Sequence, residues 1–161
     1  MAGGAKMSHI VDILNYEEGF REKPYRDSEG YPTVGTGILI GPKGASLSNY
    51  TFTVPKQVAD VWLQVFIDKK LTEMRASTVV ASALRQCNDA RSDILISMAY
   101  QMGTAGLASF KNTLGMIAAG KFEDAAAGML NSKWAQQTPS RARRHAEVMR
   151  SGTYGAYKGL I

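Results

Sequence analysis

The chain has 161 residues, 45% hydrophobic and 20% charged, with a formal net charge of +5. That balance excludes a disordered chain, and no apolar run approaches the ~20 residues a bilayer span needs. A single cysteine, Cys87, excludes an internal disulfide; two histidines, His9 and His145, without an H-E-x-x-H pattern give no support to zinc hydrolysis.

The length suits one domain with a substantial core, or two lobes sharing one. The charge is uneven. Residues 1–110 carry 11 Lys/Arg against 11 Asp/Glu, and residues 111–161 carry 8 against 3, so the whole excess lies in the last third. Basic residues at 138–150 offer attraction to an anionic polymer of a bacterial envelope, or form a solvated face with no partner. His145, in R-A-R-R-H, reads as part of that solvated face. The aromatic and glycine spacing of a nucleic-acid module is missing. Cys87 reads as a small hydrophobe, not a nucleophile.

The opening M-A-G-G-A-K-M-S-H is too polar for a signal peptide, and residues 1–7 read as a leader or a disordered tip. Ser8 caps a helix through Tyr16 with Ile10, Ile13 and Leu14 on one face. Glu17 and Glu18 fall at its C-terminal end, where the helix dipole disfavours them, and Gly19 breaks it. Residues 20–41, rich in Tyr, Thr, Val and Gly, read as two or three short antiparallel strands.

From Thr53, a capping residue, Val54, Val58, Val61, Trp62, Val65, Phe66 and Leu71 recur at helical spacing to about Met74. Beyond Val79 nearly everything is helical. Ile94, Leu95, Met98 and Tyr100 form a stretch ending at Met102-Gly103, followed by short pieces divided by Gly106, Gly115 and Gly120. Phe122 to Leu130 is a helix. Thr138-Pro139 starts another, with a capping hydroxyl and proline at the first position, and Gly152 stops it. The expected organisation is α+β and mostly helical: an N-terminal lobe over 8–53, a connecting helix over 54–77 and a helical lobe over 78–161. Two lobes so joined would make a cleft for an extended polymer.

Chemistry concentrates in E-G-F-R-E-K-P-Y-R-D-S-E-G-Y-P-T-V-G-T-G. Glu18 ends a helix, where packing toward a core strips water from an acid and helps it keep its proton. Asp27 enters a glycine turn, more exposed, and Thr33 offers a hydroxyl to a water beside it. Two carboxyls in different environments suit glycosidic hydrolysis, one protonating the leaving oxygen and the other activating water. The same residues also read as a surface acid, a turn-former and a strand residue.

The stretch resembles the active-site segment of the T-even bacteriophage lysozyme (endolysin) family, glycoside hydrolase family 24. So do A-Y-Q-M-G at 99–103, W-A-Q-Q-T-P-S-R-A-R-R from Trp134 and the closing G-T-Y-G-A-Y-K, in order and spacing from about Ile10 to Leu160. The resemblance implies a two-lobed fold and an endolysin that cleaves the β-1,4 bond between N-acetylmuramic acid and N-acetylglucosamine with inversion, for host cell lysis.

By that resemblance Glu18 is the general acid, Asp27 and Thr33 hold the attacking water, and Arg141 pairs with the catalytic glutamate. Leu39, Tyr100 and Thr113 match substrate contacts, with Gln101 and Gln137 as weaker ones; Trp134 reads as core. Three departures stand out: Ile38 replaces a histidine, Gly128 replaces an asparagine, and the stretch before Gln101 is shorter. No cofactor or metal is implied. The partner is peptidoglycan, met by a monomer that waits in the host cytoplasm until a holin gives access to the periplasm and wall. The competing readings are a lytic transglycosylase and a non-catalytic basic envelope-binding protein.

Overall fold

The computed structural model describes residues 8–161, so the reading of residues 1–7 as a leader or tip lies outside the described residues. These residues form eight α-helices and one three-stranded antiparallel sheet, the mostly helical α+β architecture expected. They divide into two compact units, one of residues 11–66 and one of residues 8–10 and 67–161.

The smaller unit holds most of α1 (Ile10–Glu18) and strands β1 (Arg21–Arg26), β2 (Pro32–Gly35) and β3 (Ile38–Leu39). The strands run in the order β1-β2-β3, and Pro24 sits in the edge strand, where a missing amide donor is tolerated. The ladder is irregular between Arg21 and Tyr25. Tyr25 pairs with Thr33 and Thr33 with Leu39, so these three side chains share one sheet face. The opposite face carries Val34, which packs with Val54, Ala59, Phe20, Ile40 and Trp62.

Helix α2 (Lys56–Ala76) begins later than its apolar spacing suggests. The Val54 amide is donated to the Glu22 carbonyl of β1 (2.8 Å), and Pro55 favours extended backbone at the residue before it. The buried face also differs. Ala59, Leu63, Ile67 and Met74 are buried, while Val58, Val61 and Val65 are exposed. Two apolar stripes of helical period share this segment, and period alone does not say which one packs.

The larger unit is helical: α3 (Thr78–Leu84), α4 (Asp89–Ala108), α5 (Lys111–Ala118), α6 (Phe122–Leu130), α7 (Lys133–Gln137) and α8 (Pro139–Ser151). Helix α6 packs on α5 and α8, and α8 also meets α4 and α7. Ile94–Ala99 of α4 are all buried, which explains a helix without a polar face. Gly103 kinks α4 at φ 81°, but the expected breaks at Gly106 and Gly115 fall inside helices. Gly152 ends α8 as expected, in the left-handed conformation that glycine adopts freely. Thr138 does stand at the start of α8, but its hydroxyl donates back to the Trp134 carbonyl of α7 (3.1 Å) and does not cap α8. No helix among the described residues is long and apolar enough to cross a membrane.

Candidate active site

Glu18 is the last residue of α1, half-buried, and the helix closes behind it when the Gly19 amide donates to the Asn15 carbonyl (3.1 Å). Gly19 takes φ 79°, which turns the chain directly into the sheet. On the other side Gly37, between β2 and β3, lies close to the acid: a Cβ built on it would stand 3.6 Å from Glu18 Oε1.

Asp27 follows β1 and organises the hairpin turn. Its Oδ1 accepts the amides of Glu29 (2.9 Å) and Tyr31 (2.8 Å), and its own amide donates to the Tyr31 carbonyl (3.0 Å). The turn-forming role is therefore real, and it occupies one carboxylate oxygen. Oδ2 accepts no hydrogen bond among the described residues, which leaves it open to a ligand or water. Thr33 is buried, and its hydroxyl donates to the Tyr31 carbonyl (2.9 Å). Its donor is thus committed, and it has lone pairs to offer, not a proton. The backbone N–H and carbonyl of Tyr31 tie Asp27 and Thr33 together.

Both Glu18 and Asp27 are half-buried, so the expected contrast between a packed acid and an exposed one does not appear in their exposure. Tyr25 lies within electrostatic reach of both. Burial pushes its phenol pKa up, the Arg21 guanidinium 4.4 Å from its ring centre opposes this, and the Glu18 and Asp27 carboxylates push it up further. Leu39, abreast of Thr33, is 55% exposed and offers an apolar surface at the sheet's edge.

The larger unit carries the other predicted residues. Tyr100 is half-buried on α4, and the neighbouring Gln101 has its carbonyl engaged by the Trp134 indole N–H (2.8 Å). Trp134 is core, as expected, whereas Gln137 is exposed. Thr113 is buried on α5, and a Cβ on Gly128 would fall 2.9 Å from its hydroxyl. Glycine at 128 therefore makes room for Thr113, in place of a polar side chain.

Arg141 and His145, one turn apart on α8, are both buried, which corrects the reading of His145 as a member of a solvated basic face. Arg141 Nη2 donates to Ser97 Oγ (2.9 Å) and to the Ser97 carbonyl (3.2 Å). Ser97 Oγ lies 2.7 Å from His145 Nε2, and His145 Nδ1 lies 2.8 Å from the Tyr157 hydroxyl. Burial, then the charges of Arg141 and Arg144, hold the imidazole pKa well below its ordinary value, so the ring is neutral. Ser97 and Tyr157 were missed in the sequence, where the only signal was the i, i+4 spacing of Arg141 and His145. Cys87 is half-buried and its thiol is pushed up to about 11 by burial, in keeping with an inert hydrophobe.

The helix-end acid Glu18 and the hairpin carboxylate Asp27 lie in the same small unit, a pair of the kind that glycosidic hydrolysis uses. The chain belongs to the phage lysozyme family, whose family model matches residues 15–147. It is 28% identical to "Probable T4-type lysozyme 1" of Dictyostelium discoideum, over 94% of this chain and 99% of that protein. It is 35% identical to "Peptidoglycan hydrolase gp36" of Pseudomonas phage phiKMV, over 86% of this chain but 15% of that protein. A similar relation, 27% identity over 92% of this chain and 28% of the relative, holds with "Pre-baseplate central spike protein Gp5" of Enterobacteria phage T4.

Proposed function

We propose that this glycoside hydrolase acts on peptidoglycan as an inverting muramidase, cleaving the β-1,4 bond between N-acetylmuramic acid and N-acetylglucosamine. The observation that carries the reading is the division of labour within Asp27: Oδ1 builds the turn, and Oδ2 is left open beside a hairpin that also holds Thr33. Glu18 protonates the leaving oxygen. A water donates one hydrogen to Asp27 Oδ2 and the other to Thr33 Oγ1, which can accept because its own proton is given to Tyr31. Its remaining lone pair attacks the anomeric carbon from the face opposite the leaving group, and its proton passes to Asp27.

Leu39, Tyr100 and Thr113 are carried over from the family as glycan contacts, with Leu39 the most accessible of the three. Arg141 is carried over as an electrostatic support of the reaction, held by Ser97. Contact with anionic envelope polymers falls to Arg143, exposed on α8, because Arg141 and His145 are interior and Arg150 is paired with Glu147. The biological reading follows the resemblance: a monomeric lytic enzyme, held in the host cytoplasm until a holin opens the way to the wall.

The test is digestion of purified peptidoglycan by the wild type, Glu18→Gln and Asp27→Asn, with the product anomer followed by NMR. The expected result is an α-configured reducing end from the wild type and almost none from either variant. A 1,6-anhydromuramyl end would identify a lytic transglycosylase, and full release by Glu18→Gln would remove Glu18 from the chemistry.

A further inference from the structure

We infer that Asn15 and Thr36 are positioning residues for Glu18, fixing the end of α1 against the β2–β3 turn. The inference rests on the reading of Glu18 as the acid. Thr36 is fully buried and donates its hydroxyl to Asn15 Oδ1 in a short hydrogen bond. Asn15 Nδ2 donates to Asp60 Oδ1 (2.9 Å), and Lys56 Nζ donates to Asp60 Oδ2 (2.8 Å). One carboxamide thus joins α1, the β2–β3 turn and α2, all within the unit of residues 11–66.

Both ends of this tie reach the acid. Asn15 is three residues before Glu18, on a neighbouring part of the same helix face, and its carbonyl accepts the Gly19 amide that closes the helix behind Glu18. Thr36 is next to Gly37, where a Cβ would stand 3.6 Å from Glu18 Oε1. The turn that receives the carboxyl and the helix that carries it are therefore locked by a bond one residue away on one side and one turn away on the other. The same turn joins β2, which carries Thr33, to β3. The tie sets the distance between the helix-borne acid and the sheet-borne water site.

The experiment compares Thr36→Val, Thr36→Ser and Asp60→Ala with Glu18→Gln on soluble peptidoglycan fragments, at a temperature where each is folded by circular dichroism. Thr36→Val keeps the shape and removes the donor. Misplacement of a reacting group by about 1 Å costs up to about 100-fold in rate, so kcat is expected to fall about 10- to 100-fold with KM nearly unchanged. Thr36→Ser restores the hydroxyl and is expected to restore kcat. Asp60→Ala loosens the tie from its half-exposed end, with a smaller fall in kcat. Should Thr36→Val not fold, wild-type kcat in Asp60→Ala overturns the inference. Wild-type kcat in a folded Thr36→Val overturns it while an inactive Glu18→Gln leaves the acid assignment standing. Full activity in Glu18→Gln overturns the assignment on which it rests.

Discussion

The two units handle buried polar groups in opposite ways. In residues 11–66, Asp27, Tyr31 and Thr33 form a network within one hairpin, and it stops short of saturation at Asp27 Oδ2. In residues 67–161, Ser97 from α4, Arg141 and His145 from α8 and Tyr157 from the last turn form a network that is enclosed. An open acceptor on a rigid turn is available for chemistry. An enclosed chain of donors and acceptors orients its members and penalises any other arrangement, because each broken bond strands a partner away from water. The first network should answer mutation in rate, and the second in stability.

Asp27 gives the largest expected effect and separates turn from chemistry. Asparagine keeps an oxygen that can accept the Glu29 and Tyr31 amides but loses the carboxylate. Asp27→Asn is expected to lower activity by about 10²- to 10⁴-fold, the usual worth of a general base, with little change in thermal stability. Asp27→Ala loses the turn as well and should cost about 1–3 kcal/mol of stability in addition. Equal stability losses in the two variants, measured by denaturant unfolding, would mean the carboxylate's charge holds the turn.

Ser97 tests the enclosed network. Ser97→Ala removes the hydroxyl that accepts from Arg141 Nη2 and lies against His145 Nε2, and is expected to cost about 1–3 kcal/mol. A neutral Ser97→Ala in denaturant unfolding would show that these groups find other partners at no cost.

This contrast also explains what the sequence made legible. The hairpin network closes within seven residues, so Asp27, the glycine turn and Thr33 could be read as one feature. Even so, the committed donor of Thr33 depends on where the Tyr31 carbonyl points, which no spacing encodes. The Ser97–His145–Tyr157 chain joins segments far apart in sequence, and a histidine among arginines looks like surface until its partners are placed. The same limit governs α2: its apolar period was readable, but the choice of Ala59, Leu63 and Ile67 over Val58, Val61 and Val65 as the packed stripe is a tertiary decision. Element type is local physics; which face and which partner are not.

The neutral state of His145 adds a pH dependence to the comparison. Its folded pKa is depressed, so below the ordinary imidazole value of 6.5 the unfolded chain binds a proton that the folded ring refuses. Its contribution is full above that value and is lost as pH falls beneath it, toward the folded pKa. Asp93 acts in the other direction. Burial raises its pKa against the hydrogen bonds from Tyr154, Ser8 and His9, so the folded state holds that proton more tightly and gains from acid. The expected outcome is a melting temperature that drops as pH is lowered from neutral through the imidazole range, with a flatter slope in His145→Phe. An unchanged slope in that variant would assign the acid sensitivity to another group.

The smallest expected effect lies where backbone conformation and the acid meet, and it needs a control. Gly37 has φ 72°, and Gly44 has φ 83°, so alanine at either is forced into a left-handed conformation costing about 1–2 kcal/mol. Around Gly44 a Cβ would meet nothing within 4 Å, whereas at Gly37 it would stand 3.6 Å from Glu18 Oε1, an ordinary contact with the carboxyl proposed as the acid. The two substitutions are therefore matched in strain and differ in what they touch. Similar stability losses are expected from both, while only Gly37→Ala lowers activity, by about 2- to 10-fold for a displacement well below 1 Å. Equal activities in the two variants would place the working face of Glu18 away from the β2–β3 turn, and with it the reason for holding that turn so close to the helix end.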